Sequence, residues 1–355
     1  MIKLFKIFGI QINLDYSWFI IFFLVSFTLA NYYYPSFYPN QNVIIYYLTG
    51  MVSAILLFAS VLLHELSHSL MAIRFGIPVK DINLFIFGGV AMIEEEPHTP
   101  KEEFLIAVAG PLMSIFLGII FFTISYFYPK DDLLNGIFNY LYMVNFALAL
   151  FNTIPAFPLD GGRVLRAIIW AKKDLLTATK IASQSGKVFG FILILVGFVS
   201  LFSGNIINGL WLGFLGWFLI NSANIAYQQT YLAYKLAKYR VKHLTNPLKP
   251  IFFNESIISL IDIPIIYKYY PVLMDNGEIR FINLYDFDEY FINENKDKKV
   301  KDFSYPIPVF VFTDDTVVKA YKLMNQYNLD FLPVFYNNTF VGIIKREDIE
   351  NILKG

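Results

Sequence analysis

Long apolar runs alternate with short polar segments through the first two thirds of the chain. A helix that crosses a bilayer needs roughly 20 mostly apolar residues. The second of these runs is long enough to tilt or to extend past the membrane surface, and the fifth is the shortest. The pattern predicts a membrane α-helical fold class with six transmembrane helices, at residues 17–33, 44–75, 104–128, 134–154, 187–202 and 206–226.

The distribution of Lys and Arg between the loops predicts the orientation. Cytoplasmic loops carry an excess of basic residues. The three loops that would lie outside, residues 34–43, 129–133 and 203–205, contain one basic residue, Lys130. We therefore expect a multi-pass integral protein of the cell membrane, surrounded by the lipid bilayer, with its N- and C-termini in the cytoplasm.

Two segments outside these runs have a β-type pattern. Residues 1–15 alternate apolar and polar positions, as a short strand or an interfacial segment does. Residues 81–93 indicate two strands folded at Gly88 and Gly89. Strands near membrane depth are tolerated where they are buried in protein or line a cavity. The hypothesis is a small membrane-associated β-hairpin, and a plain interfacial loop is the alternative.

The composition changes near Tyr231. The chain is 56% hydrophobic, compared with about 45–50% apolar residues in soluble domains. Only 24 of its 56 Asp, Glu, Lys and Arg residues lie before Tyr231. We expect a membrane domain at residues 1–226, a polar linker helix at 227–245 and a soluble domain at 246–355. The zero net charge and the lack of a basic tract argue against a nucleic-acid partner, and zero cysteines exclude disulfides and thiolate-bound metal.

The second apolar run contains an H-E-x-x-H motif at residues 64–68. Ionisable groups at membrane depth are costly, so they indicate a functional site. The spacing of four residues places His64 and His68 on one face of a helix, where both imidazoles can bind one zinc ion. Glu65 lies beside them as a candidate general base. The motif predicts metal-dependent hydrolysis within the membrane.

Two histidines leave a tetrahedral zinc ion short of a third protein ligand. His98 lies in a polar, proline-bounded loop and is interpreted as a surface residue, and residues 94–96 are interpreted as a solvated acidic run. Asp160 follows the fourth apolar run, within a segment at 152–163 that prolines and glycines make irregular. Irregular backbone at membrane depth is expected where it lines a site. The alternative interpretation of this segment is an ordinary turn.

These motifs together resemble the site-2 protease family of intramembrane zinc metalloproteases (peptidase M50). The resemblance covers roughly residues 1–226 and depends on H-E-x-x-H at 64–68, a Gly-Gly hairpin, and N-x-x-P-x-x-P-L-D-G-G-R at 152–163. It implies an endopeptidase that cuts transmembrane segments of other proteins in regulated intramembrane proteolysis. The hairpin with Gly88 and Gly89 would bind the unwound substrate as an added strand.

The same resemblance assigns roles to five residues. His64, His68 and Asp160 would bind one zinc ion per chain. Glu65 would act as the general base and return the proton to the leaving amine. Asn152 would stabilise the developing oxyanion with its amide.

The polar tail contains an internal duplication. Residues 328–349 have the pattern of strand, turn, strand and helix, and residues 270–282 repeat the first three of these elements. The equivalent prolines, Pro271 and Pro333, are about 60 residues apart. The tail resembles a tandem pair of CBS domains with an α/β fold, in which the first copy is degenerate.

Many CBS pairs bind adenine nucleotides through a Ser or Thr and an Asp after the final strand. Asp348 matches this Asp, whereas Lys345 stands where Ser or Thr is usual. The resemblance therefore leaves two roles open for the tail. It binds a nucleotide with Lys345 at a phosphate, or it serves as the interface of a homodimer.

Two other functions fit parts of this pattern. A transporter or channel with a CBS gate would explain the six spans and the tail but gives His64, Glu65, His68 and Asp160 no shared role. A catalytically silent membrane scaffold would leave the same residues without a role. Stoichiometric zinc distinguishes the protease from both alternatives.

Overall fold

The computed structural model describes residues 1–86, 88–93, 96–130, 132–261, 268–337 and 339–354. The chain divides into two compact units, Met1–Gln228 and Gln229–Gly355. The division falls within the predicted linker, two residues after the predicted end of the membrane domain at 226.

Among the described residues, six helices are long and apolar enough to cross a membrane, which confirms the predicted spans. A π-helical turn at Leu29–Tyr33 interrupts the first of them. A shorter helix, α5, precedes the fifth span. The helices of this part of the chain are α1 (Ser17–Phe37), α2 (Val43–Arg74), α3 (Pro100–Phe127), α4 (Leu133–Asn152), α5 (Asp160–Trp170), α6 (Leu175–Phe202) and α7 (Ile206–Leu236).

Polar side chains cap the N-terminal ends of three of the spans. Asn42, Asp132 and Asp174 accept hydrogen bonds from backbone N–H groups in the first turns of α2, α4 and α6. Such a cap satisfies donors that a helix leaves unpaired at its start. Hydrogen bonds from Thr177 lower the pKa of Asp174 below its ordinary value. Because of this cap, α6 begins at Leu175, twelve residues before the predicted start of the fifth span.

Helix α5 lies where the sequence pattern predicts irregular backbone. The irregular part is limited to residues 153–159, and the helix begins at Asp160. Gly161 and Gly162 are its second and third residues. Glycines near a proline-rich segment are typical of a turn, so the pattern did not predict this helix.

The N-terminal segment and the predicted hairpin form one sheet in the order β1-β2-β3-β4, with β2 and β3 parallel. Ile12, Ile82 and Leu84 of this sheet pack against Leu66 of α2. The sheet therefore lies directly on the helix that contains the H-E-x-x-H motif. Its strands are β1 (Ile2–Ile7), β2 (Ile10–Leu14), β3 (Val79–Phe85) and β4 (Gly88–Ile93).

The predicted β-hairpin is present, but its turn is not at Gly88 and Gly89. Phe85 pairs with Gly88, so the turn precedes the two glycines. Both glycines belong to β4, and Phe87 lies outside the described residues. Gly88 has φ +126°, a conformation that favours glycine.

The second unit contains two four-stranded sheets with the same topology, β6-β7-β8-β9 and β10-β11-β12-β5. Pro271 pairs with Phe281 in one sheet, and Pro333 pairs with Ile343 in the other. This equivalence confirms the predicted pair of CBS copies. The strands are β5 (Asn246–Pro247), β6 (Ile251–Phe252), β7 (Tyr269–Leu273), β8 (Ile279–Asn283), β9 (Tyr305–Pro306), β10 (Val311–Phe312), β11 (Phe331–Tyr336) and β12 (Thr339–Lys345).

The two copies exchange a strand. β5, which precedes the first copy, pairs with β12 of the second, and β9, which precedes the second copy, pairs with β8 of the first. Phe281, Phe331 and Ile343 form a buried cluster between the copies. The helices of this unit are α8 (Glu289–Glu294), α9 (Val317–Tyr327) and α10 (Arg346–Lys354). In the first copy a short 3-10 turn, Leu284–Asp286, stands where α10 follows β12 in the second.

Candidate metal centre

Three donor atoms from two helices meet inside the membrane unit. His64 Nε2 and His68 Nε2 lie 3.2 Å apart, and each lies 3.2 Å from Asp160 Oδ2. The histidines come from α2, and Asp160 is the first residue of α5. All three residues are buried. The structure thus brings together the three residues that the sequence predicts as ligands.

The triangle of donors fits a tetrahedral zinc site. Zn–N and Zn–O distances of about 2.0–2.2 Å place neighbouring ligand atoms of a tetrahedron roughly 3.3–3.6 Å apart. The 3.2 Å edges of the triangle lie just below the short end of that range. One carboxylate and two imidazoles also make up a donor set that zinc prefers, and three protein ligands leave the fourth position open.

The outer nitrogen of each histidine is held by α3. His68 Nδ1 lies 2.6 Å from the Ile106 carbonyl oxygen, and His64 Nδ1 lies 2.8 Å from Ser114 Oγ. A carbonyl oxygen only accepts, so His68 Nδ1 carries the proton and Nε2 keeps its lone pair for a metal. Such partners fix the ring orientation and raise the basicity of a histidine ligand.

Gly110 lets α3 approach the metal-facing atoms. A Cβ at this position would lie 2.6 Å from His64 Nε2 and closer still to His68 Nε2. Only glycine therefore fits between Ile106 and Ser114 on this face of α3. Gly110, Ile106 and Ser114 belong to no motif in the sequence and were not predicted. Their spacing of four residues in an apolar span was the available signal, since it places them on one helical face.

Glycines also place Asp160 at the site. A Cβ at Gly161 would overlap the backbone of Thr153 and Ile154, and one at Gly162 would lie 2.5 Å from the Ala156 carbonyl carbon. The first turn of α5 therefore lies directly on the backbone of residues 153–157. This contact positions the Asp160 carboxylate beside the two imidazoles.

The candidate base Glu65 lies beneath the hairpin. It follows the first ligand on α2, and a Cβ at Gly89 would lie only 2.5 Å from Glu65 Cγ. Gly88 lies over Val61, one turn earlier on the same helix. The start of β4 thus passes over the side chain of the candidate base, which places the two predicted substrate-binding glycines beside it.

Asn152 is the last residue of α4, and its amide Nδ2 donates to the Leu148 carbonyl oxygen at 3.1 Å. The structure places this residue at the start of the segment that leads to Asp160. His98 is exposed in the loop before α3. The metal-ligand cluster among the described residues consists of His64, His68 and Asp160.

A cleft of about 360 Å³ in the second unit includes Lys345. Tyr269 and Phe331 stack there with ring centroids 4.4 Å apart. Asp348 has a different contact: its Oδ2 accepts a 2.7 Å hydrogen bond from Asn246 Nδ2. The cleft is lined by Lys268, Tyr269, Tyr285, Asp330, Phe331, Ile343, Lys345, Arg346, Glu347 and Glu350.

Comparisons with known proteins agree with both units. The chain matches peptidase family M50 over residues 52–137 and 130–196, and the CBS domain over residues 300–355. A protein of Methanocaldococcus jannaschii named zinc metalloprotease is 34% identical over 355 residues, which cover 98% of this chain and 94% of that protein. A Synechocystis protein is 37% identical over 257 residues, or 70% of this chain, and the match spans 66% of its own length.

A solved structure, the site-2 protease from Methanocaldococcus jannaschii, has 38% sequence identity and a TM-score of 0.47, and covers 64% of this chain and 94% of that one. The six apolar helices and the three facing donor side chains fit an integral membrane metalloprotein, with His64, His68 and Asp160 as its candidate ligands. The chain belongs to peptidase family M50, the site-2 protease family of zinc metalloproteases, and carries a C-terminal CBS pair.

Proposed function

We propose that this protein is a zinc-dependent intramembrane endopeptidase, which hydrolyses peptide bonds in transmembrane segments of other membrane proteins. The observation that carries the proposal is the triangle of His64, His68 and Asp160 donors, each 3.2 Å from the next, formed where the short helix α5 meets the apolar span α2. The loop charges support cleavage near the cytoplasmic side of the cell membrane, with both termini in the cytoplasm.

Zinc, when bound by these three ligands, supplies a Lewis acid that acidifies water and polarises the scissile carbonyl. Glu65 takes a proton from the attacking water at its carboxylate and returns it to the leaving amine. The hydrogen bonds that join the Nδ1 atoms to the Ile106 carbonyl oxygen and to Ser114 Oγ keep both imidazoles in the orientation that presents Nε2 to the ion. The site thus divides metal binding and proton transfer between different side chains.

Asn152 stabilises the oxyanion in this proposal. Its amide is bonded to the Leu148 carbonyl oxygen, so a rotation of the side chain would bring Nδ2 toward the substrate. An amide donor that exchanges this bond for one to the oxyanion would lower the energy of the developing negative charge in a site of low dielectric.

The substrate binds as an added strand along β4. A peptide bond within a helix is shielded, so the substrate segment must unwind before it is cut. β4 is the last strand of its sheet, and it begins at Gly88 and Gly89 over Glu65. An extended peptide paired with this edge would satisfy its own backbone groups and lie beside the base.

Zinc analysis combined with a cleavage assay tests the proposed function. We expect the purified chain to hold one zinc ion and to cut a reporter transmembrane segment in detergent or vesicles. His68→Ala should lose both the ion and the cleavage, because it removes one of three ligands. Elemental analysis and gel detection of the product measure the two effects.

His98→Ala is the matched control, since His98 is exposed and lies outside the cluster. This variant should keep zinc and activity. A wild-type chain without stoichiometric zinc, or full cleavage by His68→Ala, would contradict the protease and favour a transporter or a scaffold.

The CBS pair acts as a cytoplasmic regulatory unit that binds an adenine nucleotide in the Lys345 cleft. The stacked Tyr269 and Phe331 offer an aromatic surface to a base. Lys268, Lys345 and Arg346 bring positive charge for phosphates to the same cleft. Asp348 supports the site through its bond to Asn246, which connects α10 to β5.

We expect AMP or ATP to bind the full-length chain, and Lys345→Ala to weaken binding by about 10-fold, the loss of a charge-assisted hydrogen bond. Isothermal titration calorimetry measures the change. Lys319→Ala is the control, because Lys319 is exposed and pairs with Asp315. Absence of nucleotide binding in the wild type, together with a dimer that depends on the tail, would instead favour the homodimer interface.

A further inference from the structure

A buried ion pair joins the helix of the third ligand to α3. Arg166 Nε of α5 donates to Glu103 Oε1 of α3 at 2.6 Å, and Arg166 Nη2 contacts the same oxygen. The Glu103 side chain is fully buried, and the Arg166 side chain is 8% exposed. Glu103 Oε2 is buried and has no hydrogen-bond partner among the described residues.

A buried ion pair often contributes little net free energy to the stability of a fold. Taking two charges out of water costs free energy that their attraction often does not exceed, and apolar residues of similar volume often hold helices as well. The pair at Glu103 and Arg166 is also incompletely satisfied, since one carboxylate oxygen lacks a partner in the described part of the chain. Unlike apolar packing, a directional ion pair defines the position of α5 relative to α3.

The pair lies on the face of α3 that contacts the histidines. Glu103, Ile106, Gly110 and Ser114 follow at spacings of three, four and four residues, which places them on one side of the helix. Ile106 and Ser114 hold the two imidazoles, and Gly110 lies against their metal-facing atoms. The same face of one helix therefore contacts both histidine ligands and, through Glu103, the helix that carries the third.

Arg166 also makes a cation–π contact with Phe157. Its guanidinium lies over the Phe157 ring, 5.1 Å from the centroid, within the segment that precedes Asp160. Arg166 follows Asp160 by six residues, or about 9 Å along a helix. Fixing the helix at this distance limits both its rotation about its own axis and its sliding along α3.

We propose that Glu103 and Arg166 are positioning residues that set the distance between the Asp160 carboxylate and the two imidazoles. The inference rests on the proposed zinc site. A carboxylate that must lie 3.2 Å from two Nε2 atoms tolerates little displacement of α5. The ion pair fixes α5 at Arg166. The contact of Gly161 and Gly162 with residues 153–157 fixes the same helix at its start.

The test replaces the pair by apolar side chains of similar length, Glu103→Met with Arg166→Met, in the full chain. This double variant leaves no buried charge unpaired. We expect it to fold, but to bind zinc about 10–100-fold more weakly, as loss of an outer partner of a metal site does. Competition with a chelator measures the affinity, and the visible spectrum of the cobalt(II)-loaded protein reports the ligand geometry independently of proteolysis.

A matched control lies at the other end of α3. Ser125 Oγ donates to Asn135 Oδ1 at 2.7 Å in a buried contact far from the ligands. Ser125→Ala with Asn135→Leu should leave zinc affinity and the cobalt spectrum unchanged. A similar loss in this control would show that any buried polar contact of α3 has the effect, and would overturn the proposal.

Arg166→Lys decides the question if the double variant does not fold. A lysine keeps the pair of charges but cannot place two N–H groups on one oxygen in a fixed plane. Weaker zinc binding with a folded protein supports the positioning role, and unchanged affinity with an unchanged cobalt spectrum overturns it. Absence of zinc from the wild type would contradict the proposed function instead.

Discussion

Replacing Glu65 by glutamine is expected to lower the cleavage rate by about 10²–10⁴-fold, the usual contribution of a general base. Glutamine keeps the size and the hydrogen-bonding shape of the side chain, but it cannot accept a proton from water. The three ligand atoms do not involve Glu65, so zinc should remain bound at one ion per chain. Cleavage of a reporter span and elemental analysis of the same preparation measure the two quantities.

Glu102→Gln is the matched control for this substitution. Glu102 is a partly exposed residue in the first turn of α3, where it accepts a hydrogen bond from the His98 backbone N–H. It should keep full activity. The mechanism would be wrong if Glu65→Gln cleaved the reporter at the wild-type rate, whereas a simultaneous loss of zinc would indicate a disturbed site rather than a missing base.

The residues of the candidate metal centre were predictable because their signals are local. Two histidines four residues apart must share a helical face, so His64 and His68 meet in any helix that forms over this run. Asp160 was predicted from irregular sequence after an apolar span, and the structure places its carboxylate at both imidazoles. The helix that begins at Asp160 was not predicted, because two glycines after a proline-rich segment are typical of a turn.

The N-terminal strands show what a local pattern does not determine. Residues 1–15 have an alternation that fits a strand, but the partner of β2 is β3, about 70 residues later. A parallel pairing at that separation depends on the intervening helices returning the chain to the same place. The hairpin at residues 79–93 was predictable, since both of its strands and its turn lie within one short segment.

The supporting face of α3 is the part that sequence reasoning missed. Small or polar residues at 110 and 114 in an apolar span are compatible with any close helix packing. Only the tertiary structure shows that imidazoles, rather than another helix backbone, occupy the space beside Gly110. Likewise, Glu103 and Arg166 have no recognisable relation in sequence, since 63 residues separate them.

Gly110→Ala is expected to remove zinc from the protein under conditions in which the wild type retains it. The added methyl group would lie 2.6 Å from His64 Nε2 and nearer to His68 Nε2, closer than carbon and nitrogen atoms approach without a bond. The rings cannot easily turn away, because Ile106 and Ser114 hold their outer nitrogens. Either α3 moves outward or the imidazoles leave their positions, and both outcomes open the donor triangle.

The expected loss is at least about 10–100-fold in zinc affinity, with cleavage lost in proportion. Chelator competition and the reporter assay measure the two effects, and circular dichroism checks that the helices persist. Gly118→Ala is the control on the same helix. Its Cβ would lie 2.9 Å from the Phe146 ring, and Phe146 is 37% exposed, so that ring has room to move. Full zinc content and cleavage in Gly110→Ala would show that the two histidines do not hold the metal through their Nε2 atoms, which lie beside Gly110.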